Sequence, residues 1–231
     1  MIKKLLKNTA ERFERIPPGF AKKIFSNCFW EGSPDCGILS LTFDDGPDPE
    51  ITPLVLDALE KADAKGTFFL IGSKAREYPE LVEEIFNRGH TVGNHTLNHR
   101  KLIFEGKKST GIEIGETQDI LTGICGEKPR LFRPPYGIFD FSTVKIAEKL
   151  GLSTVVWTVL SGDYKKIAGI DLMQNIKKFI RPGAIIVFHD TEAGGGEMLP
   201  DIIGQIAETA SIKGIELAGV DEMLEFKSLE D

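Results

Sequence analysis

Apolar and polar positions along this chain fall into blocks whose period keeps switching. Gly37 to Phe43 is a mostly apolar run of strand length, ended by Asp44, Asp45, Gly46 and Pro47. Such a run reads as a buried strand, and the Gly-Pro pair stops it and turns the chain. Residues 51–62 then place apolar side chains at helical spacing, with Thr52 a candidate N-cap and Pro53 at the first helical position. The same switch recurs down the chain. Further strands are expected at 66–71, 90–93, 130–133, 154–159, 184–188 and 214–218. Further helices are expected at 79–87, 112–124, 142–150, 172–179 and 197–209, with Gly89 and Gly151 closing two of them. Alternation of this kind argues for parallel βαβ units, either closed into a barrel or laid open.

A chain of 231 residues can bury one sizeable core and is short for two. The repeating pattern begins at residue 37, so residues 37–231 read as one domain and residues 1–36 as an extension packed on it. Residues 1–26 are basic and amphipathic, broken at Pro17, Pro18 and Gly19. Lys3, Lys4 and Lys7 are followed by Asn8, Glu11, Arg12 and Glu14, which leaves no apolar core for a signal peptide. The expected reading is a surface helix of a cytoplasmic protein, with peripheral docking on the inner membrane as the alternative. No run of about 18 apolar residues is present, so no transmembrane segment is expected. The net charge of -7 argues against a nucleic-acid partner. Cys28, Cys36 and Cys125 include no CxxC pair, and the odd count does not suggest a disulfide framework. Cys28 and Cys36 could bridge in an oxidising compartment; free thiols are the favoured reading.

The residues with chemistry gather where the predicted strands end. Asp44 and Asp45 end the first strand, and His95-Thr-Leu-Asn-His99 follows the third. Arg133-Pro-Pro-Tyr136-Gly137 ends the fourth, Asp163 lies just past the fifth, and His189-Asp190 end the sixth. In parallel α/β folds function collects at the carboxyl ends of strands. Adjacent strand residues point to opposite faces, so both aspartates enter one pocket only if Asp45 already sits in the turn. Two carboxylates so close call for a cation or a proton. His95 and His99, four apart, would share one face of a helical turn and with Asp45 supply three metal ligands. Three protein ligands leave a coordination place open, as catalytic zinc sites do. His189 ends an almost wholly apolar run, and its place on the same rim favours acid/base work over a core role. His90 lacks such company and is expected to pack or cap beside its strand.

Taken in order, Thr42-Phe-Asp-Asp-Gly-Pro-Asp48, His95-Thr-Leu-Asn-His99, Arg133-Pro-Pro-Tyr-Gly137 and Val187-Phe-His189 resemble the motifs of the polysaccharide deacetylases. These are the NodB-homology enzymes, carbohydrate esterase family 4, and the likeness spans about residues 37–220. The resemblance implies an α/β fold, a distorted (β/α)7-type barrel of mostly parallel strands. It also implies metal-dependent removal of N-acetyl groups from an amino sugar in a polysaccharide or glycoconjugate. By motif, Asp45, His95 and His99 would hold one divalent ion, zinc first, with cobalt or another divalent ion as substitutes. Asp44 would be the general base and Arg133 the partner of its carboxylate. The Tyr136 N–H would stabilise the oxyanion. His189 would be the general acid, oriented by Asp163. Pro134, Tyr136, Trp157, Tyr164 and Val187 would line the substrate side. The family commonly has Asp-Trp where this chain has Asp163-Tyr164, and a tyrosine there can still wall the pocket. The alternative reading is a hydrolase of another non-peptide amide or imide on the same barrel. An iron oxygenase with a two-His-one-carboxylate site is disfavoured by the absence of a His-x-Asp pairing. An inactive binding module would have no need of Asp44 and His189.

Overall fold

The computed structural model describes residues 16–165 and 169–230. Lys3, Lys4, Lys7 and most of the amphipathic stretch lie outside the described residues. The described part opens with a short helix, α1 (Gly19–Ile24). Eight parallel strands then form one sheet: β1 (Ile38–Asp44), β2 (Gly66–Leu70), β3 (Thr91–Asn94), β4 (Leu131–Phe132), β5 (Ser153–Thr154), β6 (Val159–Leu160), β7 (Ile185–His189) and β8 (Glu216–Leu217). The order across the sheet is β5-β4-β3-β2-β1-β7-β6, with β8 on the first residues of β1. Between strands run α2 (Ile51–Lys61), α3 (Gly72–Glu77), α4 (Pro79–Asn87), α5 (Lys107–Cys125), α6 (Phe141–Lys149), α7 (Gly169–Ile176) and α8 (Leu199–Ile212); α9 (Val220–Glu230) ends the fold. No described helix is long and apolar enough to cross a membrane.

β1 is buried along its whole length because it is covered on both faces. Leu39, Leu41 and Phe43 join Ile186 and Phe188 under the helices, where Phe43 lies between the rings of Phe68 and Phe188 at 4.9 and 6.0 Å. Ile38, Phe69, Ile185 and Val187 face the other way, with Val155 and Trp157. Register matters more than length for the site. Asp44 stands beside Phe69 on one side and His189 on the other. Three strand ends are thus brought level at one rim.

The sheet curls until its two edge strands are joined by the chain itself. The stretch 154–159, expected as one strand, is two short strands separated by a corner at Val155–Thr158. The corner exists because the barrel closes there. The Val156 N–H bonds the Phe29 carbonyl, while the Val156 carbonyl accepts from the buried Arg133 guanidinium at 2.8 Å. Phe29 also pairs with Val155, and the Gly32 N–H bonds the Gly183 carbonyl at 2.8 Å. Residues 29–32 therefore fill the seam between β5 and the entry to β7. The result is the distorted, mostly parallel (β/α) barrel that the motifs implied. All three cysteines are free thiols, Cys28 buried.

Candidate active site

A cavity of about 420 Å³ opens at the carboxyl ends of the strands. Asp44, Asp45, His95, His99, Tyr136, Trp157, Tyr164 and His189 line it. Ile138, Leu160, Thr191, Ala193 and Gly194 complete the wall. Pro134 and Val187 are buried and are not among the residues that line it. Arg133 and Asp163 stand one layer behind, each wholly buried.

Asp45 reaches the pocket beside Asp44 because it leaves the strand in a left-handed conformation, φ 74°. Its Oδ1 lies 3.4 Å from His95 Nε2 and 3.0 Å from His99 Nε2. The two histidines do not converge through a helical turn. Residues 95–100 form a loop in which Thr96 and His99 both take positive φ, 68° and 54°. Side-chain bonds hold that loop: Asn94 Oδ1 accepts the Thr96 N–H, Thr96 Oγ1 accepts the His99 N–H, and Glu113 accepts both the Asn98 N–H and its amide. The loop aims both imidazoles at Asp45, with ring centroids 5.0 Å apart.

The donor set suits a cation. His95 Nδ1 donates to the Arg133 carbonyl at 2.8 Å, which leaves Nε2 as the lone-pair nitrogen facing Asp45. Asp45 Oδ1 is buried without a hydrogen-bond partner. One ligand atom from each of Asp45, His95 and His99 falls within a 4.8 Å cluster. Two imidazole nitrogens and one carboxylate oxygen are the ligand types zinc takes.

The acid/base groups flank this cluster. Asp44 Oδ1 receives the Arg133 guanidinium at 2.7 Å. Arg133 also donates to Thr42 Oγ1 and stacks 4.0 Å over Phe69. Burial alone lowers the Arg133 pKa, and the charge and hydrogen bond of Asp44 oppose that. On the other side, Asp163 takes His189 with both oxygens. Its Oδ1 faces the ring Nδ1 at 2.9 Å and its Oδ2 accepts the backbone N–H at 2.6 Å. Burial pushes the His189 imidazolium down, but the Asp163 hydrogen bond and charge, aided by Asp44 and Asp45, outweigh it and carry it up to about 9. Next along the chain, burial drives the Asp190 carboxyl up to about 8, against the opposing Thr52 hydrogen bond. His90 is elsewhere. It is buried, accepts the Gly66 N–H, and is pushed by burial to about 4, so it is a neutral packing residue.

The apolar side of the cavity rests on one close approach. A Cβ at residue 137 would stand 2.3 Å from the Trp157 ring, so only glycine lets the Tyr136 turn lie against it. Tyr136 itself is held at φ 60°, and the bonds closing its turn come from the Gly137 and Ile138 N–H groups. The Tyr136 ring sits 4.6 Å from that of His99 and the Tyr164 ring packs edge-on to His189. Leu160 and the 191–194 loop carry no motif in the sequence. Only the β6–β7 pairing and the turn after Asp190 place them.

Comparison with known proteins decides the lineage. Residues 31–155 match the family model described as polysaccharide deacetylase. The chain belongs to the polysaccharide deacetylase family. A peptidoglycan-N-acetylglucosamine deacetylase of Bacillus cereus is 34% identical over 187 residues, 81% of this chain and 68% of that protein. A chitooligosaccharide deacetylase of Azorhizobium caulinodans is 36% identical over 170 residues, 73% of this chain and 81% of that one. Among solved structures, a peptidoglycan N-acetylglucosamine deacetylase in complex with a naphthalenyl N-oxidanyl-benzamide superposes with a TM-score of 0.81 at 33% identity, covering 84% of this chain and 91% of that one. A pseudoenzyme of the same carbohydrate esterase family from Bacillus anthracis superposes at 0.78 and 27% identity, covering 84% and 68%. Family membership alone thus leaves activity to the residues of the site.

Proposed function

We propose that this polysaccharide deacetylase homologue is a metal-dependent hydrolase that removes N-acetyl groups from an amino sugar in a polysaccharide or glycoconjugate. The observation that carries the reading is the set of a ligand triad, a paired carboxylate and a carboxylate-held histidine around one cavity. Asp45, His95 and His99 would hold the ion, zinc first, with cobalt as a substitute. A divalent ion there supplies Lewis acidity toward the amide carbonyl and eases deprotonation of water.

The chain's own groups do the rest. Asp44 takes the proton of the attacking water, held in place by Arg133. The Tyr136 N–H donates to the oxyanion formed as water adds to the carbonyl. His189 delivers a proton to the leaving amine, and Asp163 keeps that proton on the ring. The C–N bond breaks, giving acetate and the free amino sugar. Trp157, Leu160 and Ile138 offer an apolar wall for the acetyl methyl, and Tyr136 and Tyr164 offer ring faces to the sugar. Chitin oligomers, peptidoglycan, a lipid-linked glycan and a small N-acetylated metabolite are the substrate classes to separate. Acetate release should appear with at least one of them after loading with zinc or cobalt and disappear on chelation. Release of ammonia or of another acid from a non-sugar amide, with none from these four, would favour the amide or imide hydrolase instead.

A further inference from the structure

The Asp190 carboxyl is wholly buried where the β1 and β7 turns meet. It follows His189 directly along the chain. Its Oδ2 accepts the Thr52 hydroxyl at 2.6 Å, and the same hydroxyl oxygen accepts the Asp48 N–H at 2.8 Å. Its Oδ1 is buried with no hydrogen-bond partner, a cost that folds rarely leave in place. A Cβ on residue 46 would stand 2.5 Å from Oδ2 and 2.7 Å from Oδ1. Only glycine at 46 therefore lets this carboxyl lie against the turn that carries Asp45. The same turn is held on its other side by Lys74 Nζ, which donates to the Asp45 carbonyl at 2.8 Å, and by the Ile71 N–H on the Gly46 carbonyl at 2.9 Å. The Asp190 carboxyl thus rests against the Asp45 turn and the first turn of α2, while its backbone directly follows His189.

We propose that Asp190 is a positioning residue: seated against Gly46 and tied to Thr52, it fixes the Asp45 turn relative to His189. The metal-ligating carboxylate and the proton donor then keep one spacing. Its part in turnover rests on the deacetylase reading above, whereas its part in metal binding is measurable without it. Outer groups that orient metal ligands are worth about 10–100-fold in affinity. Misplacing a reacting group by an ångström costs on the order of 10²-fold in rate.

The test compares Asp190→Ala, Asp190→Asn and Thr52→Val with the parent protein. Zn2+ affinity is read by chelator competition, kcat and KM by acetate release, and folding by thermal melting. Asp190→Ala should weaken Zn2+ affinity by about 10-fold or more and lower kcat by on the order of 10²-fold, with KM little changed. Asp190→Asn keeps the planar shape and an acceptor for Thr52, so it should recover most of both losses. Thr52→Val should fall between the two. An Asp190→Ala protein that melts lower but keeps parental Zn2+ affinity and kcat would show a merely structural residue and overturn the proposal. An asparagine variant no better than alanine would overturn it too. If the alanine variant does not fold, Thr52→Val with unchanged Zn2+ affinity and kcat is the refuting result. If the parent binds Zn2+ but releases acetate from no substrate, the deacetylase reading fails and the Zn2+ comparison alone decides the role of Asp190.

Discussion

Replacing Asp163 with asparagine removes a charge while keeping the shape of the side chain. The carboxylate uses both oxygens on His189, one on the ring Nδ1 and one on the backbone N–H. An amide cannot do both, because one of its two ends is an NH2. Turned one way, it meets the ring nitrogen with a donor and makes Nδ1 an acceptor. Turned the other way, it sets its NH2 against the His189 N–H. Either way the imidazolium loses its anionic partner. Burial lowers the His189 pKa, and Asp163 is the main counterweight in lifting it from 6.5 to about 9, with Asp44 and Asp45 adding to it. A cation on Asp45 cancels part of that addition, so in the loaded enzyme the lift is smaller. The basic limb of kcat/KM should therefore move to lower pH by about 1 to 2.5 units, equivalent to about 1.4 to 3.4 kcal/mol. The stability effect has a definite sign. His189 is raised on folding, so its contribution is complete below about pH 6.5 and is lost as pH rises through about 9. The variant should melt well below the parent at pH 6 and come closer to it at pH 10. The limb is read from pH–rate profiles of the metal-loaded proteins, and the ring itself by NMR titration of the His189 Cε1–H. A limb and a midpoint both within about 0.3 unit of the parent would refute the pairing.

Two further outcomes bear on the other side of the cavity. His95→Ala combined with His99→Ala should take the bound divalent ion from about one per chain to near none by elemental analysis, and an unchanged content removes these residues from the ligand set. Asp44→Asn should keep the ion and lose about 10²–10⁴-fold in kcat, and near-parental turnover would exclude Asp44 as the base. The same variant leaves a wholly buried Arg133 without its carboxylate, a loss of about 3–5 kcal/mol by melting.

The parallel strands were legible in the sequence because buried strands read as mostly apolar runs, and β1, β2 and β7 are such runs, whereas their closure into a barrel was implied only by the motifs' resemblance. What stayed hidden depends on contacts between distant residues. The corner at 155–158 looks like β-branched strand, and only the Arg133 bond to the Val156 carbonyl and the Phe29 pairing show why it bends. α3 carries no apolar stripe, since only Gly72 and Ala75 are buried in it. α9 buries little beyond Val220 and Met223, so its pattern is that of a polar tail. The His95/His99 pair shows the same limit at finer scale. Spacing gave the correct partners through the wrong local structure, because two positive-φ residues do what a helical turn was expected to do.

The site's charges explain why its motifs come from so many strands. Deacetylation as proposed needs a carboxylate base and a protonated acid in one pocket at one pH. Left to each other, Asp44 and His189 would share a proton or form a pair, since their strands run side by side in register. The fold prevents this by giving Asp44 and His189 each a counter-charge from behind the cavity. Arg133, just past β4, approaches Asp44 from behind at 2.7 Å. Asp163, past β6, takes His189 from behind at 2.9 Å. Asp45 turns its Oδ1 to two histidines on the β3 loop, and that same oxygen has no hydrogen-bond partner. Each pair spans two or more elements, so no single stretch of sequence displays it. Removing any buried counter-charge should therefore alter protonation before it alters shape, which is why a pH profile separates these roles better than a loss of activity.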